Sequence, residues 1–216
     1  MSPEHEKQLA AEAAAELVAD GMTVGLGTGS SVGAFLPALA ARGLDLRCVA
    51  TSPATEQAAR KLGLHVESFS GPEALPRLDI AIDGADQVAP SGWLVKGGGA
   101  AHTREKAVAA AADRFVVIVS SNKLVERLTP PVPLELLEYG LAGTLRRLGT
   151  VALRDAPRSP DGGVIADYTG EFDDPEELAA RLSATAGVVE HGLFPPALVS
   201  DVIVGNGGLV EIRSLR

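Results

Sequence analysis

Apolar positions along the first 120 residues fall into two alternating rhythms. Residues 4–19 carry them at helical spacing, among the helix formers Ala and Glu. MTVGLG (22–27) is a short apolar run ending in glycine and predicts a strand. SVGAFLPALAAR (31–42) predicts a helix and LRCVA (46–50) a short buried strand. PATEQAARKLG (53–63) predicts a helix opened by proline and closed by glycine. LDIAID (78–83) and the shorter WLVK (93–96) read as strands, AAHTREKAVAAAAD (100–113) as a helix, and RFVVIVS (114–120) as a fully buried strand. Uniformly apolar strands separated by helices predict an α/β fold: a Rossmann-like, mostly parallel sheet flanked by helices.

The rhythm changes at TPPVP (129–133), where three prolines within five residues are expected to break any element. A helix (139–149), a strand (150–154), the turn SPDGG and a strand (164–168) follow. A helix then starts from Asp174 with Pro175 at its first position, and GVVEHGLF (187–194) reads as one strand. This is a second, smaller α+β domain. DVIVG (201–205) and LVEIR (209–213), joined by a glycine turn, are expected to return to the first sheet. The expected division is therefore a larger Rossmann-like domain of 1–129 and 205–216, and a smaller α+β domain of 130–204.

Composition narrows the functional classes. The formal net charge is −9 and no basic block occurs, which argues against a general nucleic-acid binder. An anionic ligand must then be held by a few local lysines and by backbone N–H groups. The single cysteine, Cys48, excludes an internal disulfide and any cysteine-rich metal site, and its place in LRCVA makes it a core residue. No run of 18 apolar residues exists, and the acidic, amphipathic N-terminal stretch is unlike a secretory signal, so a cytoplasmic protein is expected.

Five polar or glycine-rich loops follow five of the expected strands: GTGSS (27–31), TSPAT (51–55), DGAD (83–86), KGGG (96–99) and SSNK (120–123). In a parallel sheet all of these would lie along one edge, where small molecules bind. The glycines of GTGSS allow successive N–H groups to point one way at a helix start, an anion nest. Its spacing is neither a dinucleotide fingerprint nor a Walker loop, because Ser30 stands where a third glycine would be and no lysine follows Gly29. In DGAD, Gly84 and Ala85 separate two carboxylates, Asp83 and Asp86, suited to proton shuttling and hydroxyl binding. Lys96 precedes Gly97, Gly98 and Gly99, whose unobstructed amides are the material of an oxyanion hole. Glu105 falls in the early turns of the next helix, where it is either a dipole-favoured surface residue or a base working beside that oxyanion. Lys123 offers a counter-charge for phosphate. His5, His65, His102 and His191 show no metal-ligand spacing, and His102 reads as a wall residue.

GLGTGSS, IDGAD, VKGGGAAHTREK and SSNK, in this order, closely resemble the type A family of ribose-5-phosphate isomerases, and GVVEHGLF resembles that family's second domain. The resemblance covers nearly the whole chain. It implies an aldose–ketose isomerase of the pentose phosphate pathway, working without cofactor or metal. Such an enzyme interconverts D-ribose 5-phosphate and D-ribulose 5-phosphate through an enediolate.

By motif position the resemblance makes Glu105 the general base and Asp83 the residue that opens the furanose ring. Asp86 and Lys96 become substrate-contacting partners, with Lys96 counted among the catalytic residues. Thr28, Gly29, Ser30 and Ser31, with Gly84, Ala85, Gly97, Gly98, Gly99 and Lys123, complete the implied substrate contacts. It further implies a homodimer or homotetramer whose partner is a small sugar phosphate, with no nucleic acid or membrane. Four departures are visible: Ser31 in place of threonine, Gln87 in place of glutamate, a less serine-rich TSPAT loop, and His102 in place of leucine. None removes a residue with a named chemical role. Two rivals remain at this point, an amino-sugar phosphate deaminase-like enzyme and a sugar-phosphate-sensing regulatory domain.

Overall fold

The computed structural model describes residues 2–215. In chain order the elements are α1 (Pro3–Ala15), β1 (Thr23–Leu26), α2 (Ser30–Ala40), β2 (Arg47–Ala50), α3 (Pro53–Lys61), β3 (Val66–Glu67) and β4 (Leu78–Asp83). Then come β5 (Gln87–Val88), β6 (Leu94–Val95), α4 (His102–Ala111), β7 (Ala112–Ser120) and β8 (Val132–Leu136). The remainder is α5 (Leu141–Leu148), β9 (Val151–Leu153), β10 (Val164–Tyr168), α6 (Pro175–Ser183), β11 (Val188–His191), β12 (Leu193–Phe194), β13 (Asp201–Asn206) and β14 (Leu209–Ser214).

The chain forms two compact units. The first comprises residues 1–85, 104–123 and 197–216, and the second residues 86–103 and 124–196. This differs from the division at 129/130 and 204/205. Segment 86–103 groups with the second unit because β6 pairs with β5 on one side and with β12 on the other, outside the large sheet. β13 groups with the first because it pairs in parallel with β7.

The first unit is built on a seven-stranded sheet of order β14-β13-β7-β4-β1-β2-β3. All pairs are parallel except β13 with β14. The expected α/β, Rossmann-like architecture is therefore what the chain adopts. Strand order runs one way from β1 through β2 to β3 and the other way from β4 through β7 to β13, so the direction reverses between β1 and β4. Leu26, Phe35, Leu39, Ile82, Val116 and Ile118 are fully buried in its core, each worth about 1.5–3 kcal/mol of apolar burial. α1 starts where Ser2 accepts the His5 N–H and Pro3 sets the first turn. It stops at Ala15 instead of residue 19, because the Arg42 guanidinium takes the Ala15 and Val18 carbonyls. α4 packs so closely on β1 that a Cβ at Gly25 would lie 2.4 Å from Val108.

The second unit holds an antiparallel sheet of order β11-β8-β10-β9, and a three-stranded sheet of order β12-β6-β5. Leu134, Leu136, Ala166, Leu178, Leu182 and Leu193 form its core. Two expectations fail here. TPPVP does not end all structure, since Val132 and Pro133 begin β8. Proline loses only its N–H, and the Pro133 carbonyl still accepts from Gly192 at 2.7 Å. GVVEHGLF is two strands in different sheets, β11 and β12, divided at Gly192. There the backbone approaches Lys96 so closely that a Cβ would lie 2.1 Å from its carbonyl oxygen.

Candidate functional site

Four of the five loops follow parallel strands of the seven-stranded sheet: GTGSS after β1, TSPAT after β2, DGAD after β4 and SSNK after β7. GTGSS and DGAD flank the point where strand order reverses, the position where α/β sheets bind ligands. KGGG is the exception. It follows β6 of the three-stranded sheet, so Lys96 closes a strand of that sheet and not one of the parallel sheet as expected.

In the first unit, Asp83 is 2 % exposed and closes β4. Its Oδ1 accepts the Thr28 N–H at 3.0 Å and the Gly84 N–H at 2.7 Å, which joins the two loops through one carboxylate. Gly27 is obligatory at this joint: a Cβ there would sit 2.0 Å from Asp83 Cγ. The TSPAT loop braces the same place. Thr55 Oγ1 donates to the Gly27 carbonyl at 2.8 Å, and the Thr28 and Thr51 hydroxyls lie 2.7 Å apart. Gly29, with φ of 103°, starts α2 without a side-chain cap, while Gly29 and Ser30 are exposed and Ser31 half-buried. The uncapped amides of an eleven-residue helix thus open toward solvent beside hydroxyl groups, a suitable seat for an anion.

Glu105 lies in the first turn of α4 and is 4 % exposed, so the surface reading left open by the sequence does not hold. Lys123 ends a single 3-10 turn, Ser121–Lys123, and is half-buried. That turn is held by a residue the sequence reading passed over. Glu6 of α1 takes the Ser121 N–H at 2.9 Å and the Ser121 hydroxyl at 2.8 Å on one oxygen, and the Gly207 N–H at 3.2 Å on the other. The Ser121 hydroxyl, then these backbone N–H groups, hold its carboxyl below the usual glutamate range. Glu6 is absent from the motifs because the bonds that define it span 115 and 201 residues.

In the second unit, Lys96 is 2 % exposed, with its ammonium 5.3 Å from the centre of the Phe194 ring. Gly97 is buried, and Gly98 and Gly99 are exposed. The expected row of three available amides is corrected at Gly98, whose N–H donates to Asp86 Oδ2 at 2.8 Å. Asp86 thereby braces the glycine loop, and a Cβ at Gly98 would lie 2.8 Å from Asp86 Oδ1. His102 is fully buried and walls the loop as expected, since a Cβ at Gly97 would lie 2.7 Å from its Nδ1. Thr103 donates to Glu135, a buried carboxylate that also accepts from Ser159 at 2.5 Å. Gln87, one of the departures, exchanges two hydrogen bonds with Thr129, each at 2.9 Å. Among the described residues no group of three or more His, Cys, Asp or Glu is placed to hold a metal ion, and no helix is long and apolar enough to cross a membrane.

A parallel sheet with a hydroxyl- and amide-lined anion seat at its switch point, and buried carboxylates beside it, defines a protein that binds and transforms a small anionic molecule. Residues 47–208 match the model of the family described as ribose 5-phosphate isomerase A (phosphoriboisomerase A). The ribose-5-phosphate isomerase A of Caulobacter vibrioides is 43 % identical over 230 residues, covering 99 % of this chain and all of the relative. That of Natronomonas pharaonis is 44 % identical over 225 residues, covering 97 % of each. The crystal structure of ribose 5-phosphate isomerase A from Neisseria gonorrhoeae superposes with a TM-score of 0.93 at 31 % identity, over 100 % of this chain and 98 % of that one. A D-ribose-5-phosphate isomerase solved in complex with phospho-erythronic acid superposes with a TM-score of 0.91 at 32 % identity, over 99 % and 100 %. The chain belongs to the ribose 5-phosphate isomerase A family.

Proposed function

We infer that this chain interconverts D-ribose 5-phosphate and D-ribulose 5-phosphate in the pentose phosphate pathway, acting on the sugar phosphate without cofactor or metal. The observation that carries the reading is the end-to-end match to isomerases of this name; a buried carboxylate in the first turn of α4, of a kind that can serve as a base, supports it. Glu105 moves the proton between C2 and C1 through an enediolate. Asp83, fixed by two backbone amides, acts on the ring oxygen when the furanose opens. Lys96 and the Gly99 amide stabilise the enediolate oxygens, with Gly97 and Gly98 shaping the loop that presents them. The phosphate is held at the α2 N-terminus by Thr28, Gly29, Ser30 and Ser31, with Lys123 as counter-charge. Gly84, Ala85 and Asp86 complete the substrate contacts, Asp86 also through its bond to Gly98.

We propose in addition that the chain works in the cytoplasm as a homodimer or homotetramer. Support for assembly comes from apolar side chains exposed on the second unit, Leu137, Tyr139, Leu153 and Val189. The single thiol, Cys48, suits a reducing compartment.

Glu105→Gln tests the central role. It keeps the side chain's size and removes its basicity. Folding measured by circular dichroism should be unchanged, while kcat for ribose 5-phosphate falls by about two to four orders of magnitude. Wild-type turnover in the purified variant would exclude Glu105 as the base.

A further inference from the structure

Arg154 follows β9, and its guanidinium is committed on two sides. Nε and Nη2 donate to Asp167 of β10 in a bidentate pair, both at 2.7 Å. Nη1 donates to the Gly97 carbonyl at 2.9 Å and the Gly98 carbonyl at 3.3 Å. The side chains of Arg154 and Asp167 are only 20 % and 18 % exposed. Asp167 therefore aims the planar fork, and the fork grips the back of the glycine loop. A Lys ammonium cannot reproduce a two-sided grip of this kind, because it lacks the fixed fork.

The consequence lies in the peptide planes. In a trans peptide the C=O and the following N–H point in opposite directions. A cation holding the carbonyls of Gly97 and Gly98 thus turns the N–H groups of Gly98 and Gly99 to the opposite face. The Gly98 N–H does face away, onto Asp86. The Gly97 carbonyl also accepts the Ala100 N–H at 3.0 Å, closing a turn whose last residue has φ of 59°. Ala100 is the one non-glycine residue with positive φ among those described. A left-handed alanine is disfavoured, so the turn is kept by what grips it. A charged donor on a carbonyl also polarises its peptide and strengthens the adjoining N–H as a donor.

We propose that Arg154 is a positioning residue for the isomerisation: held by Asp167, it turns the Gly98 amide onto Asp86 and sets the orientation and donor strength of the Gly99 amide. The small sheet then contributes to catalysis as well as to any assembly. This inference rests on the reading that the Gly99 amide stabilises the enediolate oxygens. Arg154 lies outside every motif of the chain, and its contacts to the loop span 56 and 57 residues.

The test compares Arg154→Ala, Arg154→Lys, Asp167→Asn and Gly99→Pro in the full chain. Each is assayed for kcat and KM with ribose 5-phosphate and for affinity to phospho-erythronate, whose carboxylate sets two oxygens side by side as an enediolate does. Arg154→Ala should lower kcat by about 10- to 100-fold and weaken phospho-erythronate by a similar factor, with KM shifted less than about threefold. Added guanidinium, but not ammonium, should restore part of the lost kcat. Arg154→Lys should be nearly as impaired, and Asp167→Asn, which leaves the guanidinium in place with looser aim, intermediate.

A folded Arg154→Ala with wild-type kcat overturns the proposal. So does a kcat loss that neither guanidinium restores nor phospho-erythronate affinity follows, because that is a general structural defect. Should Arg154→Ala fail to fold, Asp167→Asn with wild-type kcat and inhibitor affinity overturns it. Gly99→Pro separates the two levels. If removing that amide leaves inhibitor affinity intact, the loop reading itself fails. If it abolishes affinity while Arg154→Ala leaves affinity at the wild-type value, only the role of Arg154 falls.

Discussion

Replacing Gly27 by alanine adds one methyl group at the joint between the two switch-point loops. The new Cβ would lie 2.0 Å from both Cγ and Oδ1 of Asp83, far inside any tolerated contact. The backbone cannot retreat easily, since the Gly27 N–H donates to the Ile82 carbonyl at 3.0 Å and its own carbonyl accepts from Thr55. Asp83 must move instead, and it is 2 % exposed. Displacing it weakens two amide-to-carboxylate bonds, from Thr28 and Gly84. Bonds to a charged group are worth about 1.5–3 kcal/mol each, and overpacking alone costs about 1–3 kcal/mol. Partial relaxation shares these losses, so a net destabilisation of about 2–4 kcal/mol is expected in urea unfolding. A shift near 1 Å in a substrate-contacting carboxylate should lower kcat/KM for ribose 5-phosphate by about 100-fold. Gly33→Ala is the matched control: it lies on α2 with open space around its Cβ and no positive φ. It should stabilise by about 0.5–1 kcal/mol, as alanine does in a helix, and leave activity intact. Stability within about 0.5 kcal/mol and kcat/KM within about twofold of the parent for Gly27→Ala would refute the close-approach argument.

The other predictions are more local. Glu6 is depressed chiefly by the Ser121 hydroxyl, so its bonds stabilise the fold above the ordinary glutamate range, and that contribution is lost as pH falls through the lowered value. Glu6→Gln should therefore be less stable than the parent at neutral pH and converge with it in acid; parallel stability–pH curves would show that Glu6 is not the titrating group. Cys48, with its thiol pushed up to about 12 by burial and then by Glu67, should not react with a disulfide reagent near pH 8 until denaturant is added, and rapid labelling of the native protein would contradict its burial. Full activity in excess chelator is expected of a metal-free isomerase; loss that zinc or magnesium restores would overturn that reading.

Legibility varied with the range of the interactions involved. β4, LDIAID, and β10, VIADY, were readable to the residue, because apolar runs between turn formers report on local backbone preference. β5 and β3, of two residues each, are too short to leave a period, and β8 was hidden by prolines that a strand accommodates through its carbonyls. Asp83 and Lys96 are legible as charges beside glycine at strand ends, whereas Lys123 and Glu105 are legible only from the motifs that contain them. Which sheet holds Lys96 is not legible, since WLVK reads the same in a parallel strand as in the antiparallel β6.

What the amino-acid order determined by itself was the alternation of elements, the α/β class and the chemistry gathered in five short loops, all properties of neighbours in the chain. Only the tertiary structure decided which amide each carboxylate engages, that Asp86 braces Gly98, that Glu6 anchors the turn of Lys123, and that Arg154 grips the glycine loop. These bonds join residues far apart in sequence, and a hydrogen bond depends on tenths of an ångström that no spacing along a chain encodes.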